Sequence, residues 1–326
     1  MQKKFLAFLL AGLLLLSGCT QPPKTVQENP PSEPPAAETP PAETPQTFTD
    51  DLGREISLDP PKRVAAMIGS FADIWCLAGG KDVLTAAAHD AWTSFDLNLG
   101  EDVTDIGAVK DPSLETLLAS EPDLILASCN TAANRDLLDT FDQAGLRAAY
   151  FDVENFDDYL RMLKICTQLT NCPENYETYG AAVKEQVDAA VTRQDGTSPK
   201  VLYVRASGSS CKVKGSSGNV LGEMLADLGC VNIADSDESL LENLSLEAII
   251  AADPDYIFVV LQGVGETVEK AQAILDETLL SNPAWNGLRA VQEDRFYILD
   301  HALYNLKPNA RWGDSYEALA DILYPQ

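Results

Sequence analysis

Short apolar runs alternate with amphipathic stretches along most of the chain. The segments "RVAAM", "VLTAAA", "DLILAS" and "RAAYFDV" are continuously apolar, which is typical of strands buried on both faces. Between them, "SFADIWCLAGG", "SLETLLAS" and "NRDLLDTFDQAG" have the spacing of helices. Strands that alternate with helices indicate a parallel sheet covered by helices. The pattern therefore predicts the α/β fold class.

A nearly all-helical stretch interrupts this alternation at residues 156–194, with one break at Cys172–Pro173. The alternation then returns with "KVLYVRAS", "NVLGEMLADLG", "SLEAIIAA", "DYIFVV", "VEKAQAILDETLL", "RFYILD" and "DSYEALADILY". We therefore predict two lobes, each a mostly parallel sheet flanked by helices, joined by one long rigid helix. Ahead of them, "DDLGREISLD" predicts a hairpin with Gly53 at its turn.

The first 47 residues have the composition of a targeting signal and a linker. Lys3 and Lys4 precede an apolar run that is too short to span a membrane, as in a secretory signal. The ending "LSGC" resembles the bacterial lipobox, which implies cleavage before Cys19 and a lipid on its sulfur; an ordinary secretory signal with a free Cys19 is the alternative. The following stretch, rich in Pro, Glu and Thr, predicts an extended tether.

These features divide the chain into five predicted parts. They are a signal peptide (1–18), the lipidated cysteine and tether (19–47), an N-terminal α/β lobe (48–171), a bridging helix (172–195) and a C-terminal α/β lobe (196–326). A lipid-anchored protein on the extracytoplasmic face of the cell membrane follows from the first two parts.

The formal net charge of −27 argues against a nucleic-acid partner. Six cysteines remain after Cys19, and an even number in an exported protein permits disulfides; Cys166 and Cys172 flank a predicted helix end and could pair. The other four are interpreted as buried thiols or unassigned disulfide partners. Only two histidines occur, too few for a free metal ion as the ligand.

One short segment occurs twice. Residues 113–126 read "SLETLLASEPDLIL" and residues 245–258 read "SLEAIIAADPDYIF". Each copy predicts a helix with a serine N-cap, a proline stop and a buried strand. One apolar helix face in each copy is formed by three residues: Leu114, Leu117 and Leu118 in the first, and Leu246, Ile249 and Ile250 in the second. The glutamates Glu115 and Glu247 lie beside those faces, towards water.

The ordered set of lipobox, proline-rich tether, "PKRVAAM", both repeats, the long helix and "NPAWNGLRAVQEDRFYILD" resembles the iron-siderophore, haem and cobalamin class of ABC-transporter substrate-binding proteins. The resemblance covers about residues 48–325. It implies two lobes with the ligand in the cleft between them, and a permease dimer with a cytoplasmic ATPase as partners. It also implies that Glu115 and Glu247 dock onto the permease; helix-terminus stabilisation is the alternative.

Candidate ligand-binding residues lie in loops at predicted strand ends. Those of the first lobe are Ser70, Phe71, His89, Trp92, Val109, Lys110 and Asn130. Those of the second lobe are Arg205, Lys212, Lys214, Gln262, His301, Tyr304, Lys307 and Arg311. We interpret Trp285 and Trp312 as core residues.

Cations and aromatic rings in these loops suit an anionic organic chelate, since Arg pairs with carboxylate or phosphate bidentately and rings pack the scaffold. A ferric siderophore is the predicted ligand, and haem or a corrinoid is the alternative, with His89, His301 or Tyr304 as an axial haem ligand. The protein is expected to have no cofactor of its own and to act as a monomer.

No motif of an enzyme is apparent: the chain lacks GxSxG, a P-loop, HExxH and a GxGxxG after a strand. "GSSGNVLGEM" places glycines before a helix and is a weak anion-binding signal. A cell-surface α/β enzyme and an adhesion lipoprotein remain the alternatives from other classes.

Overall fold

The computed structural model describes residues 45–95 and 97–325 of the chain. The predicted signal peptide, Cys19 and the tether up to residue 44 lie outside these residues. The described part belongs to one compact unit. Its first strand begins at Gln46, within the last residues assigned to the tether.

In the described residues before the bridging segment, the chain forms two hairpins and one parallel sheet. The strands are β1 (Gln46–Thr49), β2 (Glu55–Leu58), β3 (Val64–Ala66), β4 (Leu84–Ala87), β5 (Thr104–Asp105), β6 (Gly107–Ala108), β7 (Asp111–Pro112), β8 (Leu124–Ser128) and β9 (Ala148–Phe151). The first hairpin, β1–β2, has Gly53 in its turn at φ +76°, as predicted. The sheet of this first lobe has the order β5-β4-β3-β8-β9, and all its pairs are parallel.

The second lobe has a mixed sheet. Its strands are β10 (Lys200–Ala206), β11 (Cys211–Lys214), β12 (Val231–Asn232), β13 (Tyr256–Leu261) and β14 (Phe296–Leu299). The order is β11-β10-β13-β14, with β12 also paired to β10. The edge strand β11 is antiparallel to β10, whereas the other pairs are parallel. The segment containing Lys212 and Lys214 was predicted as a loop and is a strand.

Helices connect the strands in both lobes. The helices of the first lobe are α1 (Gly69–Leu77), α2 (Asp90–Thr93), α3 (Leu114–Ala119), α4 (Ala132–Arg135), α5 (Leu138–Ala144) and α6 (Phe156–Leu169). The bridging segment contains α7 (Pro173–Tyr176) and α8 (Ala182–Val191). The later helices are α9 (Val220–Asp227), α10 (Glu238–Asn243), α11 (Leu246–Ala252), α12 (Glu266–Leu275), α13 (Arg289–Gln292), α14 (His301–Tyr304) and α15 (Trp312–Leu323).

The described residues form three core clusters of buried side chains, and the middle cluster extends through both lobes. In the first sheet, Val64 and Ala66 face this middle cluster, while Ala65 faces an outer cluster with Leu117 and Phe141. In the second sheet, Tyr203 faces the same middle cluster. Helices α1, α6, α8, α9 and α15 fill the layer between the two sheets, with side chains that include Trp75, Tyr159, Val187, Leu221 and Trp312. Trp312 and Trp285 are buried in the core, as predicted.

The bridging segment is helical from Pro173 to Val191, with a π turn at Glu177–Ala181 between α7 and α8. Pro173 occupies the first helical turn, where its missing N–H costs no hydrogen bond. At 1.5 Å per residue this run is roughly 28 Å long. Val183, Val187 and Ala190 bury one face of α8 in the middle cluster.

The repeated segment forms the same structure twice. Ser113 and Ser245 each cap a helix and accept a hydrogen bond of 3.2 Å from the backbone N–H three residues later. Each helix is followed by a left-handed residue, Glu121 at φ +46° and Asp253 at φ +45°. The aspartate after each proline then binds the backbone N–H of the neighbouring strand: Asp123 binds Lys62 and Arg63, and Asp255 binds Lys200.

The predicted single helix in "NRDLLDTFDQAG" is divided into α4 and α5. The backbone carbonyl of Asn134 accepts hydrogen bonds from the Tyr150 hydroxyl at 2.7 Å and from the Leu137 N–H at 3.2 Å. The α-helical pattern is therefore interrupted at this carbonyl. The prediction of one helix was wrong. The break between α4 and α5 depends on a tertiary contact from Tyr150 in β9, which the local sequence pattern does not contain.

The six cysteines within the described ranges are all free thiols. Cys166 is fully buried in α6, and Cys172 caps α7, where its sulfur lies 3.4 Å from the Thr170 carbonyl oxygen. The disulfide considered between them is not formed. Burial raises the pKa of the Cys230 thiol to about 12.

Candidate functional site

The carboxyl ends of strands from both lobes open into a small pocket between the lobes. Asn130, Val153 and Glu154 come from the loops after β8 and β9, and Arg205 lies near the end of β10. The pocket has a volume of ≈ 130 Å³ and is lined by Asn130, Val153, Glu154, Tyr203, Arg205, Gly218, Asn219, Val220, Tyr304, Asn305 and Lys307. The switch from strand to loop puts polar side chains at this edge, where α/β proteins bind ligands.

One wall of the cleft is basic. Arg205 stands opposite Lys212, and Tyr203 opposite Lys214, in the β10–β11 register. Because side chains alternate along a strand and opposed residues share a face, these three cations project from the same face of the sheet. That face carries Tyr203 into the middle core cluster and therefore faces the first lobe. Burial lowers the pKa of Lys214, and the charges of Arg205 and Lys212 add to this effect.

An amide holds the guanidinium of Arg205 in place. The Asn305 side-chain oxygen accepts hydrogen bonds from Arg205 Nη1 at 3.4 Å and from Gln262 Nε2 at 3.2 Å. Gln262 is thus linked to Arg205 only through Asn305. Asn305 was not among the residues predicted from the sequence. Asn305 immediately follows α14, whose Tyr304 also lines the pocket.

Lys307 lies where the pocket meets a second one. This second pocket has a volume of ≈ 240 Å³ and is lined by Asp73, Leu77, Ser94, Phe95, Ala302, Leu303, Lys307, Pro308, Ala310 and Arg311. Burial lowers the pKa of the half-buried Lys307, while the carboxylates of Glu154, Asp152 and Asp90 act in the opposite direction. The ammonium group of Lys307 is therefore partly desolvated and lies in the field of nearby carboxylates.

The facing wall carries carboxylates that sequence reasoning missed. Asn130 Nδ2 donates hydrogen bonds to Asp152 Oδ1 at 2.6 Å and to Glu154 Oε1 at 2.8 Å. Burial raises the pKa of Glu154, and the neighbouring charge of Asp152 raises it further. The signal was present in the sequence, because Asp152 directly follows the buried strand β9 and Glu154 lies two residues further on. The cleft is thus of mixed charge, with acids on the first lobe and cations on the second.

The loop before α9 completes the pocket. Asn219 caps α9 by accepting a hydrogen bond of 2.9 Å from the Gly222 N–H, and its own Nδ2 donates to the carbonyls of Gly215 and Ser217. A Cβ added to Gly222 would lie 2.3 Å from the Gly215 carbonyl oxygen, so the loop can pack this closely only onto a glycine. The glycine-rich segment thus shapes a wall of the cleft.

The two histidines have different surroundings. His89 is 56% exposed, and its Nδ1 lies 2.7 Å from Asp105 Oδ2. His301 is the first residue of α14, and burial lowers its pKa. Its Nδ1 is buried and finds no hydrogen-bond partner among the described residues. The two histidines thus differ in that the Nδ1 atom of His89 is paired with a carboxylate, whereas that of His301 is buried without a partner among the described residues.

Several predicted residues lie in the core or bind elsewhere. Phe71 is fully buried, with its ring 6.1 Å from that of Phe151 in an edge-on arrangement. Ser70 is 5% exposed, so neither residue reaches the pocket surface. Trp92 is half-buried against the middle core cluster. Tyr304 lines the pocket, but its hydroxyl donates to the Ser315 carbonyl at 3.1 Å.

The remaining candidates lie on exposed turns or helix starts. Val109 and Lys110 form the turn between β6 and β7, where Val109 packs on the core and Lys110 is exposed. Arg311 is exposed at the rim of the second pocket, with its Nε 3.5 Å from Asp314 Oδ2. The structure therefore brings together Asn130, Arg205, Tyr304 and Lys307 directly, and Gln262 through Asn305.

Two α/β lobes around a polar cleft, with a helical layer shared between them, define a solute-binding protein of the two-lobed class. A family model described as periplasmic binding protein matches residues 64–303. The chain belongs to this family. It is a substrate-binding protein and not an enzyme, and proteins of this kind carry their ligand as cargo rather than as a cofactor.

Known proteins similar to this chain handle iron complexes and tetrapyrroles. The Fe(3+)-citrate-binding protein YfmC of Bacillus subtilis is 23% identical over 303 residues, which cover 90% of this chain and 88% of YfmC. The periplasmic haem-binding protein RhuT of Roseiflexus sp. RS-1, solved in its apo form, aligns with a TM-score of 0.65 at 21% identity and covers 81% of this chain and 98% of RhuT.

The periplasmic vitamin B12-binding protein BtuF of Vibrio cholerae also has a TM-score of 0.65 at 21% identity, covering 81% of this chain and 97% of BtuF. These two likenesses establish the fold. The family works outside the cytoplasm as the substrate-binding part of ABC transporters, together with a permease and an ATPase. Within the described part of the chain, no helix is both long and apolar enough to cross a membrane.

Proposed function

We propose that this protein captures an iron chelate, a ferric siderophore, and delivers it to an ABC importer. The observation that carries the proposal is the cation set on the second lobe. Arg205, Lys212 and Lys214 share one sheet face, and Lys307 adds a fourth charge at the pocket. In a chain of net charge −27, such a set favours a ligand with anionic groups. Guanidinium pairs with carboxylates in two parallel hydrogen bonds.

The mixed charge of the cleft refines this proposal. Glu154 and Asp152 partly balance Lys307, so a ligand anion competes with them for the ammonium. A chelate that brings anionic groups to Arg205 and neutral or cationic groups to Glu154 satisfies both walls.

Haem is the second candidate, and one observation favours it. The Nδ1 atom of His301 is buried without a partner among the described residues, and imidazole nitrogen is a common axial ligand of haem iron. Tyr304 is a poorer axial ligand because its hydroxyl already binds Ser315. A corrinoid stays a third possibility of the same family and is separated from the others by the same binding experiment.

Calorimetric titration with ferric citrate, a ferric catecholate, a ferric hydroxamate, haem and cobalamin tests the ligand class. Ferric chelate binding should weaken about tenfold or more in Arg205→Ala and in Lys307→Ala, because each loses one charge-assisted contact. Arg147→Ala and Lys164→Ala remove exposed cations elsewhere and should leave binding unchanged. Binding of haem alone, lost in His301→Ala, would replace the siderophore proposal.

The proposal includes docking through Glu115 and Glu247 and anchoring through a lipid on Cys19. Both glutamates are exposed in the first turns of α3 and α11. We expect the double variant Glu115→Ala, Glu247→Ala to bind the chelate normally and to abolish its uptake by cells. Normal uptake would refute docking at these residues. Cys19→Ser should release the protein from the membrane fraction, and retention there would refute the lipid anchor.

A further inference from the structure

The two copies of the repeated segment share an exposed apolar side chain that the fold does not require. Leu117 and Ile249 anchor α3 and α11, and both are fully buried. The next residue in each helix, Leu118 or Ile250, was predicted to join the same buried face. The structure instead leaves Leu118 41% exposed and Ile250 43% exposed. These residues occupy the same position of the repeat, in different lobes.

Each of these apolar residues stands one helical turn after an exposed glutamate. Glu115 precedes Leu118 by three residues, and Glu247 precedes Ile250 by three. Residues three apart lie side by side on a helix surface. Neither carboxylate forms a salt bridge within the part of the chain that the structure describes. Each lobe therefore presents one unpaired carboxylate next to one exposed aliphatic side chain.

We propose that Leu118 and Ile250 are paired apolar anchors of the surface through which this protein docks onto its membrane permease. This inference rests on the proposed function and adds to it the apolar half of the contact. The partner is a permease with two equivalent subunits, each presenting a cationic side chain beside a shallow apolar recess. The partner's cationic side chains are inferred because they would complement the two carboxylates. Its apolar recesses are inferred because they would bury the two exposed aliphatic side chains.

The duplication is what selects a two-subunit partner over other occupants. The helix, its serine cap, the left-handed residue after it and the following strand are all explained by folding, since each makes a contact within its own lobe. The exposed side chains make no comparable contribution. A partner with a single binding surface would contact the patch on only one lobe. A permease of two equivalent subunits can contact both patches, one with each subunit.

The two kinds of group have different roles in such a contact. Exposed charge pairs steer association and set the register but add little affinity. Aliphatic side chains that become buried on docking add affinity in proportion to the area removed from water. Two patches on one rigid body also act together, because engagement of the first raises the effective concentration of the second.

Docking is measured with the full-length lipoprotein and the permease–ATPase complex that imports the chelate with it, purified and placed in nanodiscs. We expect Leu118→Asn and Ile250→Asn each to weaken binding about tenfold, and the double variant to weaken it by about a hundredfold. Stimulation of ATP hydrolysis should fall in parallel. The affinity for the chelate should not change, because neither residue lines the pocket.

Two other exposed leucines serve as matched controls. Leu52 is 41% exposed in the first lobe and Leu241 is 42% exposed in the second. Leu52→Asn and Leu241→Asn should leave docking as in the wild type. If the Leu118 and Ile250 variants dock as tightly as these controls do, the inference is overturned. The proposed function would still stand in that case, provided that the wild-type protein docks.

Two further outcomes also decide the question. A wild-type protein that binds the chelate but never engages the permease refutes both proposals. If light scattering finds a dimer of this chain that Leu118→Asn or Ile250→Asn dissociates, the patches join two copies of the protein, and the permease is not their partner.

Discussion

At the scale of single residues, the side chain of Asn309 forms hydrogen bonds that join the second lobe to the first. Asn309 is fully buried, at φ +51°, and its Nδ2 donates to the Ser70 carbonyl at 3.0 Å and to Asp73 Oδ2 at 2.7 Å. It lies midway between Lys307 and Arg311, which both line the second pocket. A left-handed, buried asparagine is strained backbone that the side-chain hydrogen bonds compensate. These hydrogen bonds therefore fix the segment that carries Lys307 and Arg311 against the first lobe.

The Asp73 carboxylate makes stability depend on pH. Burial raises the pKa of Asp73 from 3.8 to about 6, although the Asn309 hydrogen bond lowers it. The folded protein then holds this proton more tightly than the unfolded chain does. The contribution of Asp73 to the free energy of unfolding therefore decreases as pH rises from about 4 to about 6.

We predict that Asp73→Asn is more stable than the wild type at pH 7.5, by up to about 3 kcal/mol, because the amide keeps an acceptor oxygen without a buried charge. Below about pH 4 the two proteins should unfold alike. Urea denaturation at several pH values measures the difference, with Asp59→Asn, which alters an exposed aspartate, as control. A difference that is constant across this range would contradict the prediction.

Sequence reasoning found the cations of the site but not their counterparts. Arg205 and Lys307 were recognised because cations are rare in so acidic a chain. Asp152 and Glu154 were overlooked for the converse reason, since carboxylates are common throughout the chain. Their position after strand β9 was the one signal in the sequence, and the hydrogen bonds from Asn130 identify them in the structure. Phe71 was assigned to the cleft by sequence position alone, which does not reveal whether a side chain points into the cleft or into the core.

At the scale of elements, the first turn of α9 shapes the pocket. Gly222 lets the Gly215 carbonyl pack against the helix, and this contact places Gly218 and Asn219 on the pocket wall. Gly222→Ala is predicted to destabilise the protein by about 1–3 kcal/mol, because a Cβ 2.3 Å from a backbone oxygen forces the loop to move. Chelate affinity should fall as well.

Thermal unfolding and calorimetric titration of this variant measure the two effects. Gly287→Ala is the control, because a Cβ there meets open space, and it should stay within about 0.5 kcal/mol of the wild type. Unchanged stability and affinity in Gly222→Ala would show that the loop adapts and does not define the wall.

Elements with a clear pattern of apolar residues were predicted correctly. Elements that depend on contacts with distant parts of the chain were not. The apolar strands β3, β8, β10 and β13 follow from composition, because strands buried on both faces are continuously apolar. The edge strand β11 contains two lysines and was taken for a loop, since only its pairing with β10 makes it a strand. The division of α4 from α5 likewise depends on the Tyr150 hydroxyl.

At the scale of the whole molecule, the middle core cluster joins the lobes. Side chains from both sheets and from α8 and α15 pack in one continuous cluster. Interiors of this density rearrange little, because each side chain is held by its neighbours. Moving one lobe against the other would expose this shared core to water.

We therefore predict that ligand binding changes the shape of the protein only slightly. Small-angle scattering of residues 45–326 should give a radius of gyration of about 19 Å with and without the bound chelate. A large decrease on chelate addition would contradict the prediction and indicate a hinge between the lobes. A protein with Gly180→Pro, which interrupts the bridging helix, tests whether that helix contributes to this stiffness.

The sequence by itself determined the α/β class, the two lobes, the bridging helix and the repeated segment, because these depend on local periodicity, capping residues and proline stops. Only the tertiary structure decided which candidate side chains meet. The pairing of Asn130 with Asp152 and Glu154, the support of Arg205 by Asn305 and the clasp of Asn309 on Asp73 join residues distant in the chain.

The tertiary structure also decided the meaning of the repeat. Helical periodicity placed Leu118 and Ile250 on the buried face of their helices, because periodicity describes a helix but not the depth at which it packs. The layer beneath each helix is filled by Leu117 and Ile249, and the next residue stays at the surface. A side chain's burial depends on the space that the rest of the fold leaves for it, and no local pattern contains that information.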